Sequence, residues 1–216
     1  MNTDIAKRQM LHQQIRTWNV IDVDVLDAIE SLSREDFVPP AYTDVAYADT
    51  EIPLAHGRRM LTPMMEGRIL QELSLAPDDA VLEVGTGSGY LTACLARLAG
   101  SVVSIDMHQD LLDSAGARLE AAGIDNVTLL RMDAMTDLPE GSYDAIVVTG
   151  SMPRVDQRLL DALRPGGRLF VVTGDETPMN AMLITRGADG SWQESSLFET
   201  SLEPLVRGRR ESSFRF

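Results

Sequence analysis

Hydrophobic residues recur at helical spacing in the first third of the chain. Residues 4–18 and residues 23–32 carry apolar side chains three or four positions apart, which predicts two amphipathic helices. The Pro39–Pro40 pair lacks the amide donors that a helix needs, so irregular structure is expected after it. A third helix is expected to begin at Pro63, because Thr62 before it is a suitable N-cap.

From Ala80 onward, short apolar runs alternate with helical patterns. Strands are predicted at residues 80–84, 101–105, 127–130, 143–149, 168–173, 182–185 and 197–200, and helices at 91–98, 111–122 and 155–163. Strands that alternate with helices indicate a parallel sheet with right-handed crossovers. The glycine-containing turn at residues 187–190 predicts a hairpin, which would add an antiparallel edge to that sheet.

The first predicted strand ends in three alternating glycines, Gly85, Gly87 and Gly89, and a helix follows at once. A strand, a glycine turn and a helix begin a nucleotide-binding α/β domain, because glycine lets the backbone approach a ligand closely. Taken alone, the three glycines are equally consistent with a tight connection that binds nothing. Their spacing differs from Gly-x-Gly-x-x-Gly, which argues against a pyrophosphate at the helix N-terminus.

Acidic residues follow the next two strands. Asp106 lies 21 residues after Gly85 and is able to accept hydrogen bonds from both hydroxyls of a ribose. Asp133 either accepts from an exocyclic base amine or caps its own backbone in a loop. In this register, loops 85–90, 106–108, 132–134 and 149–153 meet beyond the carboxyl ends of the strands, where open α/β sheets bind ligands. The sequence therefore predicts a site for a nucleoside-bearing cofactor.

Composition narrows the class of partner. The 216 residues include 19 lysines and arginines against 33 acids, a formal charge of −14 that repels phosphate backbones, so no nucleic acid partner is expected. No apolar run approaches the length of a membrane span and the N-terminus lacks a secretory core, so a cytoplasmic protein is expected. The basic cluster Arg207–Arg210, with Arg215, is interpreted as a solvated terminus.

Two further residue types are interpreted as structural. Cys94, the single cysteine, lies on the apolar face of the helix after the glycine turn and is expected to be a packed thiol. His12, His56 and His108 lie in three separate segments without the spacing of metal ligands, so no metal site is expected.

Several motifs resemble those of the class I S-adenosylmethionine-dependent methyltransferases, namely the Val81–Tyr90 block, Asp106, Asp133 and the Leu-Arg-Pro-Gly-Gly turn. The blocks at 8–16, 25–29, 34–39, 46–49, 149–153 and 198–205 resemble more narrowly the protein-L-isoaspartate O-methyltransferase family. The resemblance implies an α/β, Rossmann-like, doubly wound and mostly parallel seven-stranded sheet with helices on both faces. An N-terminal helical and loop segment, residues 1–63, would cover the site of the methyltransferase domain, residues 64–216.

The resemblance also implies the cofactor, S-adenosyl-L-methionine with S-adenosyl-L-homocysteine as product, and a protein or peptide substrate whose altered aspartyl carboxylate is methylated. It assigns the methionine side of the pocket to Glu83 and the three glycines, the ribose to Asp106, and the adenine to Asp133 and Ala134. The complete set of expected cofactor-binding residues is Glu83, Gly85, Thr86, Gly87, Ser88, Gly89, Asp106, Met107, Asp133, Ala134 and Thr149.

The loop before Pro63 departs from the family. Where the family has Gly-Gln-Thr-Ile-Ser-Gln/Ala-Pro, residues 57–63 read Gly-Arg-Arg-Met-Leu-Thr-Pro, so the active-site serine falls on Leu61, which cannot donate a hydrogen bond. Arg58 and Arg59 either pair with an anionic group or are solvated, and with Thr62 they are the substrate-loop candidates. Two alternatives follow: a methyltransferase for another anionic substrate, such as a different carboxylate, and a protein that binds S-adenosylmethionine without turnover.

Overall fold

The computed structural model describes residues 3–206, so the basic cluster Arg207–Arg210 and Arg215 lie outside the described residues. Its N-terminal helix changes geometry along its length. The helix α1 (Thr3–Gln9) continues into a π-helical stretch, Met10–Ile15, and a 3-10 turn, Arg16–Trp18. The predicted helix over residues 4–18 is therefore confirmed in position.

Two more helices precede the sheet. The helix α2 (Val23–Ser31) begins at Asp22, whose carboxylate accepts the backbone N–H groups of Asp24 and Val25. The helix α3 (Pro63–Leu73) is capped as expected by Thr62, whose hydroxyl accepts from the N–H of Met65 at 3.3 Å. Between α2 and α3, 3-10 turns cover Arg34–Phe37, Pro40–Val45 and Ala55–Gly57, and strands β1 (Ile52–Pro53) and β2 (Arg59–Met60) pair antiparallel.

The central sheet confirms the fold class. Its strands are β3 (Ala80–Val84), β4 (Ser101–Asp106), β5 (Val127–Arg131), β6 (Tyr143–Met152), β7 (Leu163–Thr173), β8 (Met179–Arg186) and β9 (Trp192–Thr200), and its helices are α4 (Tyr90–Leu98), α5 (Gln109–Ala121) and α6 (Gln157–Asp161). The spatial order is β5-β4-β3-β6-β7-β8-β9. Strands β3 to β7 are parallel, and β8 and β9 add the antiparallel hairpin. The order in which strands are added to the sheet therefore reverses between β3 and β6, because β4 and β5 extend the sheet on one side of β3 and β6 and β7 extend it on the other. Doubly wound sheets bind their ligands at such a point.

Several boundaries in the sheet differ from the prediction, among them the starts of β8 at Met179, not residue 182, and of β9 at Trp192, not residue 197. The helix expected over residues 155–163 ends at Asp161, and Leu163 already pairs with Tyr143 in β7. Pairing resumes between Ala145 of β6 and Arg168 of β7. Residues 164–167 of β7 therefore form a bulge in that strand rather than a separate turn. The β6 strand also continues beyond residue 149 to Met152, since Ser151 pairs with Val172. Residues 165–167 are Pro-Gly-Gly, which is typical of a turn, so the sequence does not predict that they belong to a strand.

Both faces of the sheet are buried at its central strands, whereas the edge strands β5 and β9 are partly exposed. Val81, Val147 and Phe170 face a core formed with α1 to α4, and the alternating residues Leu82 and Ile146 face a second core on the side of α6. This alternation follows from the two-residue period of a strand. Cys94 is fully buried in the first core, and burial raises the pKa of its thiol, in agreement with the expected packed thiol. No helix within residues 3–206 combines the length and apolar character of a membrane span.

Candidate functional site

A cavity that is open to solvent lies beyond the carboxyl ends of β3 to β6, and the empty space within it and at its opening amounts to about 780 Å³. Nine of the residues predicted from the sequence line it: Arg58, Arg59, Gly85, Gly87, Asp106, Met107, Asp133, Ala134 and Thr149. The lining within residues 3–206 does not include Thr62, Glu83, Thr86, Ser88 or Gly89. Parallel strands end at one edge of a sheet, so loops far apart in sequence contribute to one cavity.

The glycine turn is shaped by close neighbours. Gly85 has a φ of +100°, and a Cβ added there would lie 2.1 Å from Oγ1 of Thr149. That hydroxyl lies 2.8 Å from the Gly85 carbonyl and 3.0 Å from the Val84 carbonyl, so it donates to the turn itself. Gly89 has a φ of +84°, and its Cβ would approach the Cβ of Ala115 to 2.9 Å. Only glycine therefore fits at these two positions without movement.

The carboxylate of Asp106 lies between the glycine turn and the next helix. Its Oδ2 accepts the backbone N–H of Gly87 at 3.2 Å, and its Oδ1 accepts that of His108 at 3.0 Å. Each oxygen has further lone pairs, and Asp106 lines the cavity. The two backbone bonds fix the orientation of a carboxylate that still has the capacity to accept a pair of hydroxyls.

Asp133 and Ala134 form another part of the wall. The Oδ1 atom of Asp133 accepts the N–H of Met135 at 3.0 Å, which is the local cap that the sequence left open as an alternative. Asp133 nevertheless lines the cavity, beside Met132 and Met135. The carbonyl of Ala134 accepts from Nη2 of Arg158 at 2.9 Å, which holds this loop against α6. A flat apolar ring with polar edges fits a wall of this composition.

Glu83 lies behind the glycine turn and is fully buried. Its Oε2 accepts hydrogen bonds from Thr92 Oγ1 at 2.5 Å and from Ser104 Oγ at 2.6 Å. Because the Ser104 proton is directed to Glu83, Thr86 donates to Ser104 across their 2.6 Å contact. The hydroxyl of Ser88 accepts the N–H of Tyr90, the first residue of α4, at 3.2 Å. These predicted residues thus support the turn from behind.

Burial raises the pKa of Glu83 from 4.5 to about 8, although the bonds from Ser104 and Thr92 oppose the rise. The proton is then held more tightly in the folded state, so the free energy of unfolding should fall as pH rises from about 4.5 to about 8. We expect Glu83→Gln, which cannot ionise, to lack this decline. Urea unfolding between pH 5 and pH 9 measures it, with the exposed Glu120→Gln as control. Parallel pH profiles for Glu83→Gln and the wild type would contradict the prediction.

The substrate-loop candidates occupy different surroundings. Nη1 of Arg58 donates to the carbonyl of Pro204 at 3.0 Å, and Nε of Arg59 lies 3.7 Å from Oε2 of Glu51. Burial raises the pKa of Glu51, Arg59 lowers it, and nearby Glu203 raises it further. Arg59 remains about half exposed, at 48%, so its guanidinium is accessible at the rim of the cavity.

Leu61 points away from the cavity, into the first core, where it is 7% exposed. Its carbonyl accepts a 2.6 Å hydrogen bond from Nη2 of the buried Arg34. Arg34 also pairs with Glu66, and the pair is best described as ionised, because a neutral Glu66 would leave a buried guanidinium uncompensated. Position 61 therefore serves the core, in keeping with its leucine, and the Thr62 hydroxyl caps α3.

One wall of the cavity, residues 202–206, was not predicted from the sequence to belong to the site. Residues 202–206 line the cavity because they run beside the end of β6, where the N–H of Ser151 donates to the Glu203 carbonyl at 2.9 Å. The N–H of Leu205 returns a 3.0 Å bond to the Ser151 carbonyl. This contact joins residues about fifty positions apart, and no local pattern encodes it. Glu51 also lines the cavity and was not predicted to do so, whereas His108 belongs to the loop 106–108 that was expected there.

Comparison with known proteins agrees with this geometry. A family model described as protein-L-isoaspartate(D-aspartate) O-methyltransferase matches residues 5–210. The protein-L-isoaspartate O-methyltransferase of Brucella anthropi is 32% identical over 207 residues, covering 95% of each chain. Protein-L-isoaspartate O-methyltransferase 1 of Rhodopseudomonas palustris is 36% identical over 202 residues, covering 93% of this chain and 82% of the relative.

A solved structure shares the fold. The crystal structure of a protein-L-isoaspartate O-methyltransferase from Plasmodium falciparum in complex with S-adenosyl-L-homocysteine has a TM-score of 0.81 at 22% identity, covering 95% of this chain and 98% of that one. The family match over nearly the whole chain and the identities above 30% decide the assignment. The chain belongs to the protein-L-isoaspartate(D-aspartate) O-methyltransferase family.

Proposed function

We propose that this protein is an S-adenosylmethionine-dependent carboxyl O-methyltransferase that acts on altered aspartyl residues, L-isoaspartyl or D-aspartyl, in proteins and peptides. The observation that carries the proposal is a single cavity that is lined by the glycine turn and Asp106 and also by Arg58 and Arg59. Nucleoside recognition and anion recognition are thereby brought to the same space. The relatives that share up to 36% of the sequence bear the name of this activity.

The residues of the cavity fit S-adenosylmethionine. Gly85 and Gly87 present backbone without a Cβ at the cavity wall, so a ligand chain is able to approach closely. We assign the ribose hydroxyls to Asp106, beside Met107, and the adenine edge to Asp133 and Ala134. Thr149 holds the Gly85 turn and borders the methionine side. Glu83, Thr86, Ser88 and Gly89 are assigned to shaping the turn rather than to contact.

S-adenosylmethionine, when bound, supplies an electrophilic methyl group on a good leaving group, the sulfonium. The residues of the chain then have little acid–base chemistry to perform, because an aspartyl carboxylate is already ionised at neutral pH. Their work is to hold the carboxylate in line with the methyl group and to exclude water from it. We assign the orientation of the carboxylate to Arg58 and Arg59, since a guanidinium binds carboxylates bidentately. This assignment replaces the serine contact that Leu61 cannot make.

The test is methyl transfer from labelled S-adenosylmethionine to a synthetic isoaspartyl peptide, with the normal aspartyl peptide of the same sequence as control. We expect label in the isoaspartyl peptide only, as a base-labile ester. Arg59→Ala should raise KM for the peptide about tenfold with a smaller change in kcat, because one charge-assisted hydrogen bond is lost. Arg59→Lys, which keeps the charge, should lie between the two, and the exposed Arg16→Ala should match the wild type.

The possible results distinguish three points: methylation of isoaspartyl residues, methylation of another acceptor, and the role of Arg59. Absence of label at high enzyme concentration, with cofactor binding intact, would reject methylation of isoaspartyl residues. Label in small carboxylic acids but not in the peptide would favour the alternative of another anionic acceptor. A normal KM in Arg59→Ala would leave the activity in place but reject the role of the arginine.

A further inference from the structure

Two of the three histidines in the chain are in contact although they lie in separate segments, and one of them, His108, lines the cavity. The rings of His56 and His108 stack in parallel with centroids 3.9 Å apart. Asp110 completes the cluster, with its two carboxylate oxygens 2.8 Å and 2.9 Å from Nε2 of His56. One ligand-capable atom from each of these three side chains lies within 4.8 Å of the others.

We propose that His56, His108 and Asp110 form a binding site for a divalent transition metal, with Zn²⁺ as the reference ion. Two imidazoles and one carboxylate are a ligand set found in zinc sites, with water in the fourth position. Imidazole ligands favour zinc, copper and nickel over magnesium or calcium. The chain as a whole has a formal charge of −14, which attracts cations to its surface.

The backbone around the cluster supports a dedicated arrangement. His56 has a φ of +57°, a conformation that a residue with a side chain adopts at some cost, and in it the imidazole reaches Asp110 across 54 positions of sequence. The Nε2 atom of His108 is buried without a hydrogen-bond partner among the described residues. A buried imidazole nitrogen without a partner costs free energy, and a bound ion is one way to satisfy it.

Metal binding requires a small rearrangement of the rings. The lone pair of an imidazole nitrogen lies in the ring plane, so two parallel rings cannot both direct theirs at one ion. Ligand atoms around tetrahedral zinc are about 3.4 Å apart, given bonds of about 2.1 Å. The His56 and Asp110 side chains are both exposed, and rotation of both toward His108 would be needed to bring the three ligand atoms to that distance. The bound ion would tie the loop carrying Arg58 to the start of α5.

The test uses the full chain, treated with a chelator and dialysed, and titrated with ZnCl₂ by calorimetry. We expect one Zn²⁺ to bind per chain. When the free Zn²⁺ concentration is about a hundredfold above Kd, Tm should rise by about 5–10 °C. His56→Asn, His108→Asn and Asp110→Asn should each weaken binding at least tenfold. Asparagine is chosen at position 56 because it tolerates positive φ. His12→Asn, at an exposed histidine outside the cluster, is the matched control.

Cobalt(II) gives a measurement that does not depend on the variants. A tetrahedral site containing imidazole ligands should give intense visible d–d absorption on addition of CoCl₂ to the wild-type protein, and ZnCl₂ should abolish it. No stoichiometric binding of either ion to the wild type would overturn the proposal. So would binding to His56→Asn and His108→Asn with wild-type affinity, since the ion would then lie elsewhere. Neither readout depends on methyl transfer, so the result stands whatever the substrate is.

Discussion

Replacing Asp106 with alanine is expected to weaken binding of S-adenosylhomocysteine about 100-fold or more. The variant would lose the carboxylate that we assign to both ribose hydroxyls, and two hydrogen bonds to a charged acceptor contribute about 1.5–3 kcal/mol each. It would also release the N–H groups of Gly87 and His108, which Asp106 holds in place. Calorimetric titration of the product, which binds without turnover, measures the effect directly.

Two further variants show whether the loss belongs to the ligand contact. Asp106→Asn preserves size and one acceptor oxygen, so its affinity should lie between those of wild type and alanine. Asp125→Ala removes an exposed aspartate just before β5, at the end of the sheet opposite the cavity, and should bind normally. Equal affinity in Asp106→Ala and wild type would remove the basis for the nucleoside site, and with it the proposed cofactor.

Gly85→Ala is expected to lower the free energy of unfolding by at least about 3 kcal/mol and to abolish binding of S-adenosylhomocysteine. Two costs combine, the φ of +100° and the 2.1 Å approach of the new Cβ to Oγ1 of Thr149. Displacing that hydroxyl would break its bond to the Gly85 carbonyl and shift the turn that borders the cavity. Denaturant unfolding and calorimetry give the two quantities.

Gly123→Ala separates the two costs. Gly123 also has a positive φ, +65°, but a Cβ there would meet nothing within 4 Å, so this variant should lose only about 1–2 kcal/mol. Adding Thr149→Ala to Gly85→Ala removes the clashing oxygen and should recover part of the stability. If Gly85→Ala is no less stable than Gly123→Ala, steric contact with Thr149 does not shape the turn.

Much of this fold could be predicted from local pattern, and the reasons are physical. The strands β3, β4 and β6 contain apolar runs because both faces of the sheet are covered there, whereas β5, at the edge, is only partly buried. The glycines at 85 and 89 mark backbone that no other residue fits without movement, so their positions in the chain are enough to identify the turn. Asp106 follows directly, since it ends the strand beside that turn.

The predictions that were incomplete involve contacts between distant segments. The bulge in β7 depends on which residues of β6 and β7 pair on either side of it, and the sequence of Pro165 to Gly167 alone does not determine that pairing. The cavity wall at residues 202–206 depends on hydrogen bonds to Ser151. His56 and His108 were taken to lie apart because they are far apart in sequence, and the fold stacks their rings.

The doubly wound sheet, the family and the position of the glycine turn all follow from the amino-acid sequence, because each depends on the local period of apolar residues, on recurring motifs or on glycine conformation. The direction in which the substrate loop faces depends instead on tertiary contacts. Leu61 is directed into the core and its carbonyl is held by Arg34, while Arg59 is left at the rim of the cavity. Side-chain direction there is fixed by packing against residues from other parts of the chain, and a pattern of neighbours in sequence contains no information about that packing.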